Sequence, residues 1–306
     1  MQIFNTIIPI FAIILLGLFA RRKGYIPPEF LVPANRLVYY LAIPALVFSA
    51  ISKASLRTQF NFATLALTLA AVISIFIVAW LWAVAGRYRQ GALATFVQGS
   101  IHGNLGYVGL AVAFYYLGNE GFIRASIIAG FLMILQNLLS ITILQMYGGT
   151  TAKNHRWWQI VWKVAGNPVI LAAILGILFS LFDIPVPVIV ERSLKILSSM
   201  ALPTALLIIG ASLSLKLLKS STKSVISISV LKLLLLPAVG LSTFHLLGIA
   251  AADFLPALIL LASPTATVAY VMAREMSGDT DMAVAAISGS TLLSAITFIF
   301  WLQVAG

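Results

Sequence analysis

The chain has 306 residues, 61% of them apolar, with 19 Lys+Arg against 8 Asp+Glu and a mean hydropathy of +1.06. A soluble globule carries roughly a quarter of its residues as charges; a share of 9% excludes one and points to a chain that crosses the bilayer repeatedly. The absence of cysteine excludes disulfides, thiolate metal sites and thiol nucleophiles.

Charged residues divide the chain into ten long apolar intervals, each near or above the ~20 residues that cross a ~30 Å hydrocarbon core. They are 3–20, 37–52, 58–86, 90–119, 125–152, 164–182, 196–215, 224–252 (interrupted by Lys232), 254–273 and 282–306. Continuous apolar runs predict helices, because barrel strands would alternate. The first interval precedes its basic cluster Arg21-Arg22-Lys23, the reverse of a secretory signal, and reads as a retained anchor. Alternating sides from an outer N-terminus puts thirteen basic residues in inner loops, among them Arg21, Arg22, Lys23, Arg36, Lys216 and Arg274. Five remain outside: Lys53, Arg57, Arg124, Arg192 and Lys195. The positive-inside rule therefore predicts both termini on the outer side of a cell membrane, and the lipid bilayer accounts for the basic balance without nucleic acid.

Sliding the chain over itself aligns Gly17 with Gly176, Pro28 with Pro187, Pro44 with Pro203 and Ser55-Leu56 with Ser214-Leu215, each displaced by 159 residues. The turn at Gly118 meets that at Gly278 at a displacement of 160. This register predicts two five-span halves, 1–150 and 164–306, joined by a polar connection over 151–163. An odd number of spans inverts the second half, and inverted repeats are the physical basis of alternating access.

Each half carries one break. The fourth span reads Gly99-Ser100-Ile101-His102-Gly103-Asn104-Leu105-Gly106-Tyr107-Val108-Gly109, a stretch whose glycines permit unwound backbone at mid-membrane depth. The ninth reads Ser263-Pro264-Thr265-Ala266-Thr267, where Pro264 removes a donor and clashes with the preceding turn. Paired interruptions of this kind mark a transporter's binding site. Crossed half-helices would present their positive ends and free amides to an anion, with Asn104, Ser263, Thr265 and Thr267 completing its hydrogen bonds. Small-residue helix packing is the competing reading.

The stretches Gly103-Asn104-Leu105-Gly106-Tyr107-Val108-Gly109, Gly166-Asn167-Pro168, Ala201-Leu202-Pro203-Thr204 and Ser263-Pro264 with Ala273-Arg274-Glu275 resemble the auxin efflux carrier family along the whole chain. That family includes plant PIN-FORMED carriers and bacterial malate or malonate permeases. The resemblance implies an all-α polytopic membrane protein of ten transmembrane helices, with crossed, broken helices 4 and 9, of the bile acid symporter and sodium/proton antiporter type. It implies a scaffold from helices 1, 2, 6 and 7, a mobile transport domain from helices 3–5 and 8–10, and a homodimer. By the same resemblance Asn104 and Pro264 stand at the crossover, with Gly103 and Gly106 beside them, and Gln136 of the fifth span faces the substrate. The sequence departs from the family at Ala111, where many relatives have proline, and at Val47, where plant carriers place serine, which argues against the plant substrate.

Among ionisable groups in the spans, Lys232 has two readings: pairing with a substrate carboxylate, or snorkelling to the inner face. His102 is the proton-coupling candidate, set against an ordinary hydrogen-bonded bundle histidine. Gln136 and Asn137 form an adjacent amide pair, of which one can face the bundle interior. All eight carboxylates lie at span ends or in loops, so a sodium ion would have to rely on backbone carbonyls and Asn104. No nucleotide-binding loop, His-Glu-x-x-His site or mid-membrane aspartate pair occurs. The sequence thus predicts a secondary carrier of a small organic anion, of the carboxylate class, working by elevator-type alternating access with proton or sodium coupling, and not an enzyme. It predicts no cofactor and no resident metal. A sodium-coupled symporter of the same fold, or a non-transporting sensor or channel, is the alternative.

Overall fold

The computed structural model describes residues 1–54, 60–148, 166–220 and 222–306. The Ser55-Leu56 match, the start of the third span at 58, the end of the fifth at 152, the connection over 151–163 and the start of the sixth span at 164 lie outside the described residues. Among the described residues the fold is helical. In chain order it comprises α1 (Gln2–Arg22), α2 (Pro28–Ile51), α3 (Phe62–Ala85), α4 (Gln90–Ile101), α5 (Leu105–Tyr147), α6 (Pro168–Leu181) and α7 (Val188–Ser212). It continues through α8 (Leu215–Ser220), α9 (Thr222–Leu246), α10 (Ala251–Leu261), α11 (Val268–Glu275) and α12 (Thr280–Ala305). Four of the long helices, α2, α5, α7 and α9, each join two or three shorter helical segments. Among the described residues, 7 helices are long and apolar enough to cross a membrane, and α6 and α10 are shorter apolar helices.

Helix starts follow local chemistry. Asn61 accepts the Thr64 amide at the head of α3, and Asp279 accepts that of Met282 at the head of α12. At α6 the Gly166-Asn167-Pro168 motif works as a unit: Asn167 Oδ1 accepts the amides of Val169 and Ile170, while Pro168 occupies a position whose amide needs no partner.

The predicted turn at Gly118 is present, with φ of 70° and ψ of −162° inside α5. Its predicted counterpart behaves differently. At the corresponding turn, over 276–277, the left-handed residue is Ser277, at φ 56°, and Gly278 is small for another reason: a Cβ there would lie 2.7 Å from Thr95 Oγ1 of α4.

Two groups of helices pack closely. In one, α1 lies along the second half of α7, and α6 along the second half of α2. Backbone contact makes these seams: a Cβ on Gly17 would fall 2.2 Å from the Leu207 carbonyl oxygen, and one on Gly176 would fall 2.9 Å from Ile51 Cβ. Such close approach is how helices associate where lipid removes the hydrophobic driving force. In the other group α5 packs against α4 and α10, and α12 against α9 and α4. Ion pairs tie the ends together, Lys53 of the loop after α2 to Glu191 of α7, and Arg124 of α5 to Asp253 of α10.

Candidate functional site

The two breaks meet. Residues 102–104 between α4 and α5 and residues 263–266 between α10 and α11 are non-helical, and an isolated antiparallel bridge joins Gly103 to Thr265. Asn104 N donates to the Pro264 carbonyl at 2.7 Å, and Ala266 N donates to that of His102 at 2.8 Å. Proline ends α10 because it cannot donate, yet its carbonyl is what the other break needs. The glycines on the fourth span, for their part, allow contact. A Cβ on Gly109 would lie 2.6 Å from Ser263 Oγ and 3.0 Å from Leu260 Cδ2.

Side chains satisfy most of the backbone that unwinding frees, as the low dielectric requires. Thr265 donates through Oγ1 to the Gly99 carbonyl at 2.8 Å, while its amide donates to Ser290 Oγ at 3.0 Å. Gln136 Oε1 accepts the Gly103 amide at 3.1 Å, and Ser263 Oγ donates to the Ile259 carbonyl at 3.0 Å. Asn104 Oδ1 accepts the Tyr107 amide at 3.3 Å. His102 is buried and shares a 2.9 Å hydrogen bond between Nδ1 and Ser140 Oγ.

The site tightly constrains Gly109. Gly109→Ala is expected to destabilise the protein by about 1–3 kcal/mol through overpacking. Combining it with Ser263→Ala should recover part of the loss, because the clashing oxygen is then gone. Melting curves of the single and double variants in detergent check this; additive losses would show that the two residues do not touch.

A cavity of about 530 Å³ opens on one side of the crossing, within the size range of small-molecule sites. His102, Gly103, Asn104, Gly106 and Thr267 line it from the breaks; Arg36, Tyr39 and Tyr40 line it from α2, and Glu275 from α11. Asn104 is 5% exposed, and its Nδ2 has no hydrogen-bond partner. Among the described residues, no hydrogen bond occupies the amides of Gly106, Thr267 or Val268, which begin α5 and α11 and border the same space. These donors converge where two helix N-termini point, an arrangement suited to an anion.

Of the residues singled out from sequence, Asn104, Gly103, Gly106, Thr267 and His102 border the cavity. Ser263, Pro264, Thr265, Gln136 and Lys232 hold the crossing together from behind. Asn137, not Gln136, reaches the cavity; its Nδ2 donates to the Met133 carbonyl at 2.7 Å. The snorkelling reading of Lys232 fails: the residue is 0% exposed and donates to the Leu261 carbonyl at 2.7 Å. Arg36, Tyr39, Asn167 and Glu275 also line the cavity, and no local signal in the sequence assigns them to it.

Comparison with known proteins adds the family. A family model described as "Membrane transport protein" matches residues 2–302. The chain is 28% identical to a Rhizobium meliloti protein named "Putative malonate transporter", over 97% of this chain and 93% of that one. It is 25% identical to an "Uncharacterized transporter" of Methanothermobacter thermautotrophicus, over 97% and 96%. To the "Uncharacterized transporter YfdV" of Escherichia coli K12 it is 23% identical, over 98% and 96%. Whole-chain agreement with a transporter family leaves no room for an enzyme, and the fold agrees with a multi-span membrane protein. The chain therefore belongs to the membrane transport protein family, the auxin efflux carriers, and is a membrane transporter.

Proposed function

We propose that the protein is a secondary carrier of a small organic anion bearing a carboxylate, which it moves by elevator-type alternating access. The observation that carries this reading is the buried, unpartnered Asn104 Nδ2 beside the free amides of Gly106, Thr267 and Val268 at the cavity. A carboxylate accepts from such donors without a buried counter-charge. The name of the Rhizobium meliloti relative favours a carboxylate substrate as well.

The reading includes ten spans in two inverted halves, 1–150 and 164–306. The pairing register supports it, since Asn104 faces Pro264 across the crossing and the same two positions are related by the displacement of 160 that matches Gly118 to Gly278. The seams support it too: Gly17 and Gly176, displaced by 159, each admit a helix from the opposite half. In this scheme α1, α2, α6 and α7 are the scaffold. The crossing travels with α3, α4, α5 and α9 to α12, and a homodimer anchors the scaffolds in the cell membrane.

The positive-inside rule puts Arg36 and Glu275 on the inner side, so the cavity opens inward, with both termini outside. For an anion of charge −1, an interior-negative potential of 100 mV favours exit by ~2.3 kcal/mol. Efflux follows that gradient; uptake draws on a proton through His102.

Proteoliposomes with a panel of labelled mono- and dicarboxylates test the proposal. Saturable uptake that is accelerated by unlabelled substrate on the opposite side is expected for at least one acid. Flux that rises linearly with concentration and shows no counterflow would identify a channel and overturn it.

A further inference from the structure

Lys232 is the one buried Lys or Arg among the described residues, and it does not line the anion cavity. It sits in a π-helical turn, Val230–Leu235, inside α9. Pro237, four residues after Leu233, has no amide to give the Leu233 carbonyl its usual helical bond. Trp301 Nε1 of α12 donates to that carbonyl instead, at 2.7 Å, bracing the turn that carries Lys232.

The amine reaches both breaks. Its Nζ donates to the carbonyl of Leu261, the last residue of α10, at 2.7 Å. A Cβ on Gly103 would lie 3.3 Å from Lys232 Cε and Nζ, so the lysine tip lies directly against the break of the fourth span. Helices end there with their carbonyl, partially negative poles; α10 ends at Leu261 and α4 at Ile101. Among the described residues no Asp or Glu is buried, and His102 is already bonded to Ser140. The lysine amine is thus placed where two half-helix C-termini converge, opposite the N-termini that border the anion cavity.

We infer that Lys232 is a tethered cation: it neutralises the carbonyl ends of the crossed half-helices and takes the position that a dissociable metal cation would otherwise fill. The inference rests on the carrier reading for its transport consequence, but not for its structural one. In transport, the unit that moves carries +1 when empty and 0 when loaded with a monoanion. The membrane potential then acts on the return of the empty carrier, and no sodium is needed for the crossing to hold together.

The test uses full-length protein, purified in detergent, in buffers of matched ionic strength containing choline, sodium, potassium or ammonium chloride. Wild type should melt at one temperature in all four. Lys232→Ala should melt lower and rise by several degrees with millimolar ammonium or sodium, which enter the space left by the side chain. Lys232→Met, whose thioether fills that space, should melt lower and stay indifferent. Lys232→Gln keeps a donor without the charge and should behave as the methionine variant does.

Sodium-dependent melting of wild type would overturn the inference, and so would a glutamine variant as stable as wild type or an alanine variant indifferent to every cation. These arms need no substrate, so failure of the organic-anion reading leaves them interpretable. In proteoliposomes, wild-type exchange should be equal in sodium and choline, and Lys232→Ala exchange should fall at least tenfold and recover with ammonium. Asn104→Ala, as a control, should lose exchange with no cation response.

Discussion

Asn104→Ala is expected to lower anion exchange by roughly 10- to 100-fold, measured as initial counterflow rate in proteoliposomes. The estimate comes from the worth of a hydrogen bond to a charged group, about 1.5–3 kcal/mol. The Nδ2 lost in this variant is buried, has no protein partner and borders the cavity. Stability should change less. The other amide atom, Oδ1, accepts only the Tyr107 amide at 3.3 Å, a capping contact worth about 1 kcal/mol. Asn104→Asp separates the two roles: it keeps the capping oxygen but brings a negative charge toward an anion, so it should melt close to wild type and exchange less than the alanine variant. Wild-type exchange in Asn104→Ala would remove the residue from the substrate's path.

Gly210→Leu should abolish a monodisperse, folded protein or lower its melting temperature severely, as read by size exclusion and thermal unfolding. A Cβ at this position would lie 1.7 Å from the Ile14 carbonyl oxygen. The obstacle is backbone, so no rotamer change relieves it, and α1 would have to leave α7. Even Gly210→Ala exceeds the range in which cores adjust at a cost of about 1–3 kcal/mol. Gly17→Ala, at 2.2 Å from the Leu207 carbonyl oxygen, should show the same defect from the other side of the seam. Gly130→Ala is the control, because its nearest neighbour would be Ala173 Cβ at an ordinary 3.7 Å. If Gly210→Leu purified and melted as wild type, the seam between α1 and α7 would not be the close packing described.

Much of the candidate site is legible in sequence because its signals are local. A run of glycines around Asn104 and a proline at 264 break helices through their own backbone chemistry, wherever the segments end up. Two such interruptions predict a crossing, and the two breaks do meet. Gly278 shows the limit of that reasoning. The turn its match to Gly118 predicts is there, but the smallness of Gly278 serves the approach of Thr95 from another helix, a distant contact that no local pattern records.

The sequence alone determined that this is a multi-span helical membrane protein of a transporter family, and where two of its spans are interrupted. Those properties follow from apolar length, Gly and Pro chemistry and whole-chain similarity, all of which are written along the chain. Only the tertiary structure decided which way each side chain looks. Gln136 and Asn137 are neighbours, but a helix turns about 100° per residue. One therefore supports the Gly103 amide while the other reaches the cavity. Lys232, equally able to reach water or substrate on sequence grounds, was assigned to neither once α10 brought the Leu261 carbonyl to it. Hydropathy fixes that a helix is buried, whereas its rotation and its partners are set by packing against segments far away in the chain.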